Sequence, residues 1–306
     1  MSEKTSTNPW GKIMKIAIIV LLFLLIAYLG ICAYAISQVT AIGDHDYYCD
    51  TPEDFGIDYQ EVTFHATIDE LQIAAWYLPH PGSEKAVIIV HGRDASKQWA
   101  ESGTIVAFQA DLYKAGYTVL AIDVRGHGDS DEARYSFGVY ERRDVLGAVD
   151  FLLNKGFKPG NIGVVGISLG GAAANGAMAE SEAIGAVVTE GTFAEFYPIV
   201  EEQWQNESGL PNFFLPGVLL MNRIMYGYSL ADVNPAAEIA QAEPRPMLII
   251  HCTEDDMVPM SHPGELLEAA PHAESWIMSS CDHAELYRDY PEEYSQHVIT
   301  FFDENL

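Results

Sequence analysis

Residues 16–36 read IAIIVLLFLLIAYLGICAYAI, 21 positions without a charge. At about 1.5 Å rise per residue, a helix of this length covers the roughly 30 Å hydrocarbon layer of a bilayer once. Apolarity on every face excludes an ordinary surface helix, which keeps one polar stripe. Lys4, Lys12 and Lys15 precede the run, whereas Asp44, Asp46, Asp50, Glu53 and Asp54 follow it, and no Lys or Arg returns before Lys85. By the positive-inside bias, residues 1–15 are expected in the cytoplasm and the bulk of the chain outside, held by a single-pass anchor at the cell membrane. Ala33-Tyr34-Ala35 offers the competing reading of a signal-peptidase site, but the apolar run exceeds the usual 7 to 15 residues of a signal core. Either reading exports the domain.

The pattern then changes. Residues 37–56 are polar, acidic and aperiodic and read as a linker; a domain begins near Ile57 and runs to Leu306. Within it, short runs rich in Val, Ile and Leu at 61–66, 71–78, 86–90, 118–124, 162–167, 184–189, 247–251 and 275–279 predict strands. Helical patterns fill 104–115, 138–155, 169–180, 262–270 and 291–304. The first two strands lie close in sequence, like an antiparallel pair. The later ones have the continuous apolarity of a parallel sheet covered by helices on both faces. Residues 191–245 are too long for a plain connection and contain the apolar stretch PNFFLPGVLLMNRIMY; they read as an inserted cap, or else as part of the core.

Composition narrows the function. With 49% hydrophobic and 20% charged residues, 15 Pro and 25 Gly, the chain is neither disordered nor low-complexity. Its 44 acids against 16 Lys and Arg give a formal charge of −28, which repels phosphate backbones and excludes nucleic acid as a partner. No HExxH, CxxC or P-loop is present, so neither a metal nor another cofactor is implied.

Gly166-Ile167-Ser168-Leu169-Gly170 is a G-x-S-x-G between the apolar run IGVVGI and a small-residue helical segment, the strand, turn and helix in which that motif exposes a nucleophilic serine. A serine needs a base, and the base a carboxylate to orient it. His283 lies just beyond the last expected strand, where a general base would be delivered, while His91 and His127 suit loop-structuring roles. Between serine and base, HCTEDDMVP supplies Glu254, Asp255 and Asp256; Asp255 is favoured, with the other two as solvated neighbours. An oxyanion hole requires two backbone N–H groups. Leu169, after the nucleophile, provides one, and Arg93, in the loop His91-Gly92-Arg93-Asp94 after an expected strand, is the candidate for the other.

Ser168, an acid and His283, in that order and each after a strand, resemble the α/β-hydrolase superfamily over residues 57–306. Asp123-Val124-Arg125-Gly126-His127-Gly128-Asp129-Ser130 is similar to that family's D-x-R-G-x-G-x-S loop, and His91-Gly92 to its H-G oxyanion turn. The nearest likeness is to prolyl-oligopeptidase-like and serine-aminopeptidase-like hydrolases, including membrane-anchored bacterial members. Their acid turn, H-G-x-x-D-x-x-V-P, laid on His251 and Val258-Pro259, puts the acid at Asp255, with Cys252 in place of the glycine. The resemblance implies an α/β-hydrolase fold with a mostly parallel eight-stranded sheet. It also implies a membrane-anchored serine hydrolase that cleaves a small-molecule acyl substrate, an ester by preference, through an acyl-enzyme. A serine peptidase and a noncatalytic scaffold of the same fold are the alternatives. In a cap closing over Ser168, Phe213, Phe214, Leu219 and Met221 would bind the acyl group. The family fold also makes the last two strands neighbours, so Cys252 and Cys281 are expected either to form a disulfide or to remain two buried thiols.

Overall fold

Runs of β-branched residues leave their backbone N–H and C=O groups to be satisfied by neighbouring strands. The computed structural model, which describes residues 9–43, 50–100, 103–242 and 244–306, pairs them into one sheet. Residues 1–8 of the expected cytoplasmic segment and 44–49 of the linker, with Cys49, lie outside the described residues. The strands are β1 (Gln60–His65), β2 (Gln72–Leu78), β3 (Ala86–Val90), β4 (Trp99–Ala100), β5 (Gly103–Thr104), β6 (Thr118–Ile122), β7 (Ile162–Ile167), β8 (Ile184–Glu190), β9 (Met247–Cys252) and β10 (Glu274–Met278). The helices are α1 (Pro9–Val39), α2 (Val106–Lys114), α3 (Arg142–Asn154), α4 (Leu169–Glu180), α5 (Tyr197–Ser208), α6 (Leu215–Tyr226), α7 (Pro235–Gln241), α8 (Ser261–Ala269), α9 (Leu286–Asp289) and α10 (Pro291–Asn305).

Eight strands form the main sheet in the order β1-β2-β6-β3-β7-β8-β9-β10; β4 and β5 make a separate ribbon. β1 and β2 run antiparallel, as does the β2–β6 pair, and every later pairing is parallel. Alternate residues of β3 enter two cores: Val87 and Ile89 pack with Val106 and Phe108 of α2 and Phe301 and Phe302 of α10, whereas Ile88 and Val90 pack with Val145 and Ala148 of α3 and Ala173 and Ala177 of α4. A sheet covered on both faces explains why β3, β6 and β7 are buried at every position.

Two compact units divide the chain, residues 41–199 with 230–306, and residues 1–40 with 200–229. The unit outside the sheet is narrower than the 191–245 insert expected from sequence. Its flanks are tied to the sheet's unit: α7 packs on α4 and α8, and Ile239 is buried in the core there. Within the smaller unit α1 lies along α6. The approach needs Gly217, where an added Cβ would stand 2.5 Å from Cys32 Sγ and 2.6 Å from the Tyr28 hydroxyl oxygen. The Tyr28 hydroxyl donates to the Phe213 carbonyl at 2.9 Å, and its ring stacks on Phe214 at 5.2 Å between centroids. α1 is long and apolar enough to cross a membrane.

Candidate active site

Parallel strands deliver their C-terminal ends to one edge of the sheet, where open α/β sheets place their ligands. β3, β7, β9 and β10 each release a loop there. Ser168, between β7 and α4, has φ 52° and ψ −115°, a conformation that costs a residue with a side chain about 1–3 kcal/mol. The turn is held by the Ser168 N–H donating to the Glu190 carbonyl at 2.8 Å and by the Gly171 and Ala172 N–H groups donating to the Ser168 carbonyl. Gly166 is required beneath it, since a Cβ would come within 2.6 Å of Gly171 Cα.

The Ser168 hydroxyl lies 2.9 Å from His283 Nε2, and His283 Nδ1 lies 2.7 Å from Asp255 Oδ2. His283 is 5% exposed and the Asp255 side chain 1%. The other Asp255 oxygen, Oδ1, accepts from the Met257 and Val258 N–H groups at 3.0 and 2.7 Å, which fixes the carboxylate plane. With Asp255 accepting at Nδ1–H, Nε2 is left to accept from the serine hydroxyl, the arrangement in which an imidazole takes a proton from a nucleophile. Glu254 and Asp256 are exposed.

Cys252 and Cys281 are joined in a disulfide with 5.3 Å between Cα atoms, so of the two expected states the bonded one is present. It ties the turn carrying Asp255 to the loop carrying His283.

Gly92 packs against Ser168: a Cβ there would stand 3.3 Å from Ser168 Cβ and from the Ile167 carbonyl oxygen. Arg93 follows Gly92 in this loop, and its side chain is 57% exposed and donates to Asp94. Leu169 opens α4, and an N–H in a first helical turn has no carbonyl of its own helix to bind. His91 organises this loop. Its Nε2 accepts from the Val124 N–H at 3.1 Å, so Nδ1 carries the proton and donates to the Gly92 carbonyl at 2.7 Å. Burial, reinforced by the neighbouring His127, holds His91 well below its ordinary pKa and keeps it neutral.

Three further residues shape the site without a signal in the sequence. The Tyr135 hydroxyl accepts from the Asp94 N–H at 2.8 Å and donates to Asp94 Oδ1 at 2.7 Å, clamping a residue held at φ 52° immediately after Arg93. Lys97, 5% exposed, pairs with Asp123 at 2.5 Å and Asp129 at 2.7 Å and so fastens the oxyanion-side loop to the D-x-R-G-x-G-x-S loop. Glu190, fully enclosed at the end of β8, accepts from the Leu286 N–H at 3.0 Å, three residues past His283. Burial, with the Asp255 charge adding to it, pushes the Glu190 carboxyl up to about 7, against the Leu286 hydrogen bond and the attraction of His283.

Of the residues expected to bind an acyl group, Phe214 is half-buried against Tyr28 of α1, Phe213 is 64% exposed, and Leu219 and Met221 are half-buried on α6. All four belong to the smaller unit.

The model of the alpha/beta hydrolase family matches residues 87–297. YqkD, an uncharacterized protein of Bacillus subtilis (strain 168), is 31% identical over 193 residues; the match spans 61% of this chain and 63% of that protein. YfhR, an uncharacterized protein of Escherichia coli (strain K12), is 23% identical over 286 residues, 89% of this chain and 92% of its own. Among solved structures, the esterase Pf2001 of Pyrococcus furiosus superposes with a TM-score of 0.71 at 24% identity, covering 87% of this chain and 99% of that one. The esterase RhEst1 of Rhodococcus sp. ECU1013 gives 0.56 at 20% identity, covering 79% and 98%. At these identities the structural likeness speaks for the fold.

Proposed function

This chain belongs to the alpha/beta hydrolase family, and we propose that it is a membrane-anchored serine hydrolase acting on carboxylic esters. The observation that carries the reading is the continuous chain from the Ser168 hydroxyl through His283 to Asp255, at 2.9 and 2.7 Å. Esterases among the structural neighbours support the ester class. In the proposed mechanism His283 Nε2 takes the hydroxyl proton as Ser168 attacks the carbonyl carbon. Asp255 stabilises the imidazolium that forms, and the Arg93 and Leu169 N–H groups bind the oxyanion. His283 then protonates the departing alcohol, and the acyl-enzyme is released when the same imidazole activates water. The formal charge of −28 favours uncharged acyl groups over anionic ones.

The anchor reading rests on α1 and on the Lys residues that precede its apolar stretch. Retention of α1 is supported over signal cleavage because Ala33-Tyr34-Ala35 lies inside a helix that continues to Val39, between the fully buried Cys32 and Ile36.

Two measurements test the proposal together. A fluorophosphonate probe should label Ser168 in the folded protein. p-Nitrophenyl esters of graded chain length should be turned over faster than aminoacyl or dipeptidyl amides. A folded, unlabelled protein would leave the fold as a scaffold, and efficient cleavage of free-amine peptides without ester turnover would make it a peptidase.

A further inference from the structure

The smaller unit carries an exposed apolar surface to which the proposed mechanism assigns no step. α6 has one charged residue, Arg223, in 12 positions. One side of it packs on α1, burying Leu215, Gly217 and Val218. The outer side leaves Leu220 at 50%, Ile224 at 65% and Met225 at 42% exposed, and Phe213, just before the helix, at 64%. Phe213, Pro216, Leu220 and Ile224 follow the three- and four-residue spacing of a single helical stripe. An exposed contiguous apolar stripe marks an interaction surface.

The geometry of α1 says what meets it. From residue 16 to residue 27 the helix is exposed at every position, and those residues rise only roughly 18 Å. A hydrocarbon layer of about 30 Å therefore takes up roughly eight more residues, 28–35. These are the positions on which α6 packs: Tyr28 touches Phe213 and Phe214, Gly217 closes on Cys32, and Ala35 is 8% exposed. A helix packed against that stretch shares its depth in the bilayer.

Resting on the anchor proposed above, we infer that α6 is a lipid-facing helix whose stripe Phe213, Pro216, Leu220 and Ile224 contacts acyl chains in the leaflet next to the exported domain, alongside residues 28–35 of α1. Arg223, exposed on the same helix, has a stem long enough to carry its guanidinium up to a lipid phosphate. The attraction is apolar, since a chain of charge −28 gains nothing from anionic headgroups.

The test uses the full chain with Cys32→Ala and Cys49→Ala, reconstituted in phosphatidylcholine vesicles. Single cysteines at Leu220 or Ile224 carry an environment-sensitive fluorophore, and doxyl-labelled lipid is the quencher. Cysteines at Ile19 of α1 and at exposed Glu292 of α10 are the references. Quenching at Leu220 and Ile224 within about twofold of that at Ile19, with none at Glu292, is the expected result. Quenching at Ile19 but not at Leu220 or Ile224 overturns the inference and leaves the anchor standing. If Ile19 itself escapes quenching, the anchor reading fails and takes the inference with it. A blue-shifted but unquenched signal at Leu220 that depends on protein concentration assigns the stripe to a second copy of the chain, and also overturns it. Should labelling disturb reconstitution, the unlabelled cysteines serve: they should resist a soluble maleimide in vesicles and react after detergent and urea.

Discussion

Three consecutive acids, Glu254, Asp255 and Asp256, follow β9, and only the middle one is buried, with two backbone donors on one oxygen and the imidazole on the other. Asp256→Asn should therefore leave kcat/KM within about twofold of the parent. Ser168→Ala or His283→Ala should lower kcat by about 10³-fold or more without unfolding the protein, and Asp255→Asn should cost less, because an imidazole without its orienting acid keeps part of its basicity. If Asp256→Asn is the damaging change and Asp255→Asn is not, the acid has been assigned one residue early. Glu190 makes a different prediction. Its folded pKa of about 7 stands above the ordinary 4.5, so the folded state holds a proton that the unfolded state has already released between those values. Its stabilising contribution is thus fully present below about pH 4.5 and falls as pH rises to 7, by up to about 1.4 kcal/mol per unit. Glu190→Gln keeps an acceptor for the Leu286 N–H and removes the titration, so urea unfolding in detergent should show a flatter pH profile over that window. An unchanged slope would mean that another group carries it. Ser168 and His283 were legible because motif and chain order name them. Glu190 and Tyr135 were not, since their partners lie 96 and 41 residues away and neither sits in a recognisable pattern.

At the scale of elements, apolar runs announce strands because both faces of the sheet are covered, and the eight expected strands match the eight of the main sheet within two residues at each end. Their order was less accessible. β6 inserts between β2 and β3 through pairings that local periodicity does not encode. The insert was ambiguous for a physical reason: an apolar helix of a cap and an apolar helix of the core carry the same residues, and periodicity alone does not separate them. The disulfide belongs to this scale because it joins the loops of two adjacent strands. Cys252 precedes Asp255 by three residues and Cys281 precedes His283 by two, across a separation of 29. Chain entropy over that span is worth about 3–4 kcal/mol. Replacing both cysteines with alanine should lower Tm by roughly 5–10 °C and, by loosening the distance between Asp255 and His283, cut kcat by about tenfold with KM little changed. Full activity and Tm after denaturation, reduction and thiol blocking would show that the loops hold their geometry without the bond.

At the scale of the whole molecule, charge is the property that no single contact explains. A formal charge of −28 on 306 residues creates a negative field around an edge-of-sheet site that carries its own acids, Asp255 and the neighbouring Glu254 and Asp256. Such a field reaches about a Debye length into solution, roughly 10 Å at 0.1 M salt and about 30 Å at 0.01 M. It acts on encounter more than on chemistry, so its signature lies in kcat/KM and in the dependence on ionic strength. For a neutral short-chain ester the field has nothing to repel, and kcat/KM should stay flat between 0.01 and 0.5 M salt. An ester of the same length ending in a carboxylate should react roughly tenfold more slowly at low salt and approach the neutral ester as salt rises. The slope separates electrostatic exclusion from a steric or apolar one: a pocket that rejects the carboxylate by desolvating it would keep the two substrates apart at every ionic strength. Equal, salt-independent rates for both esters would show that the acidity of this chain serves solubility alone and plays no part in choosing its substrate.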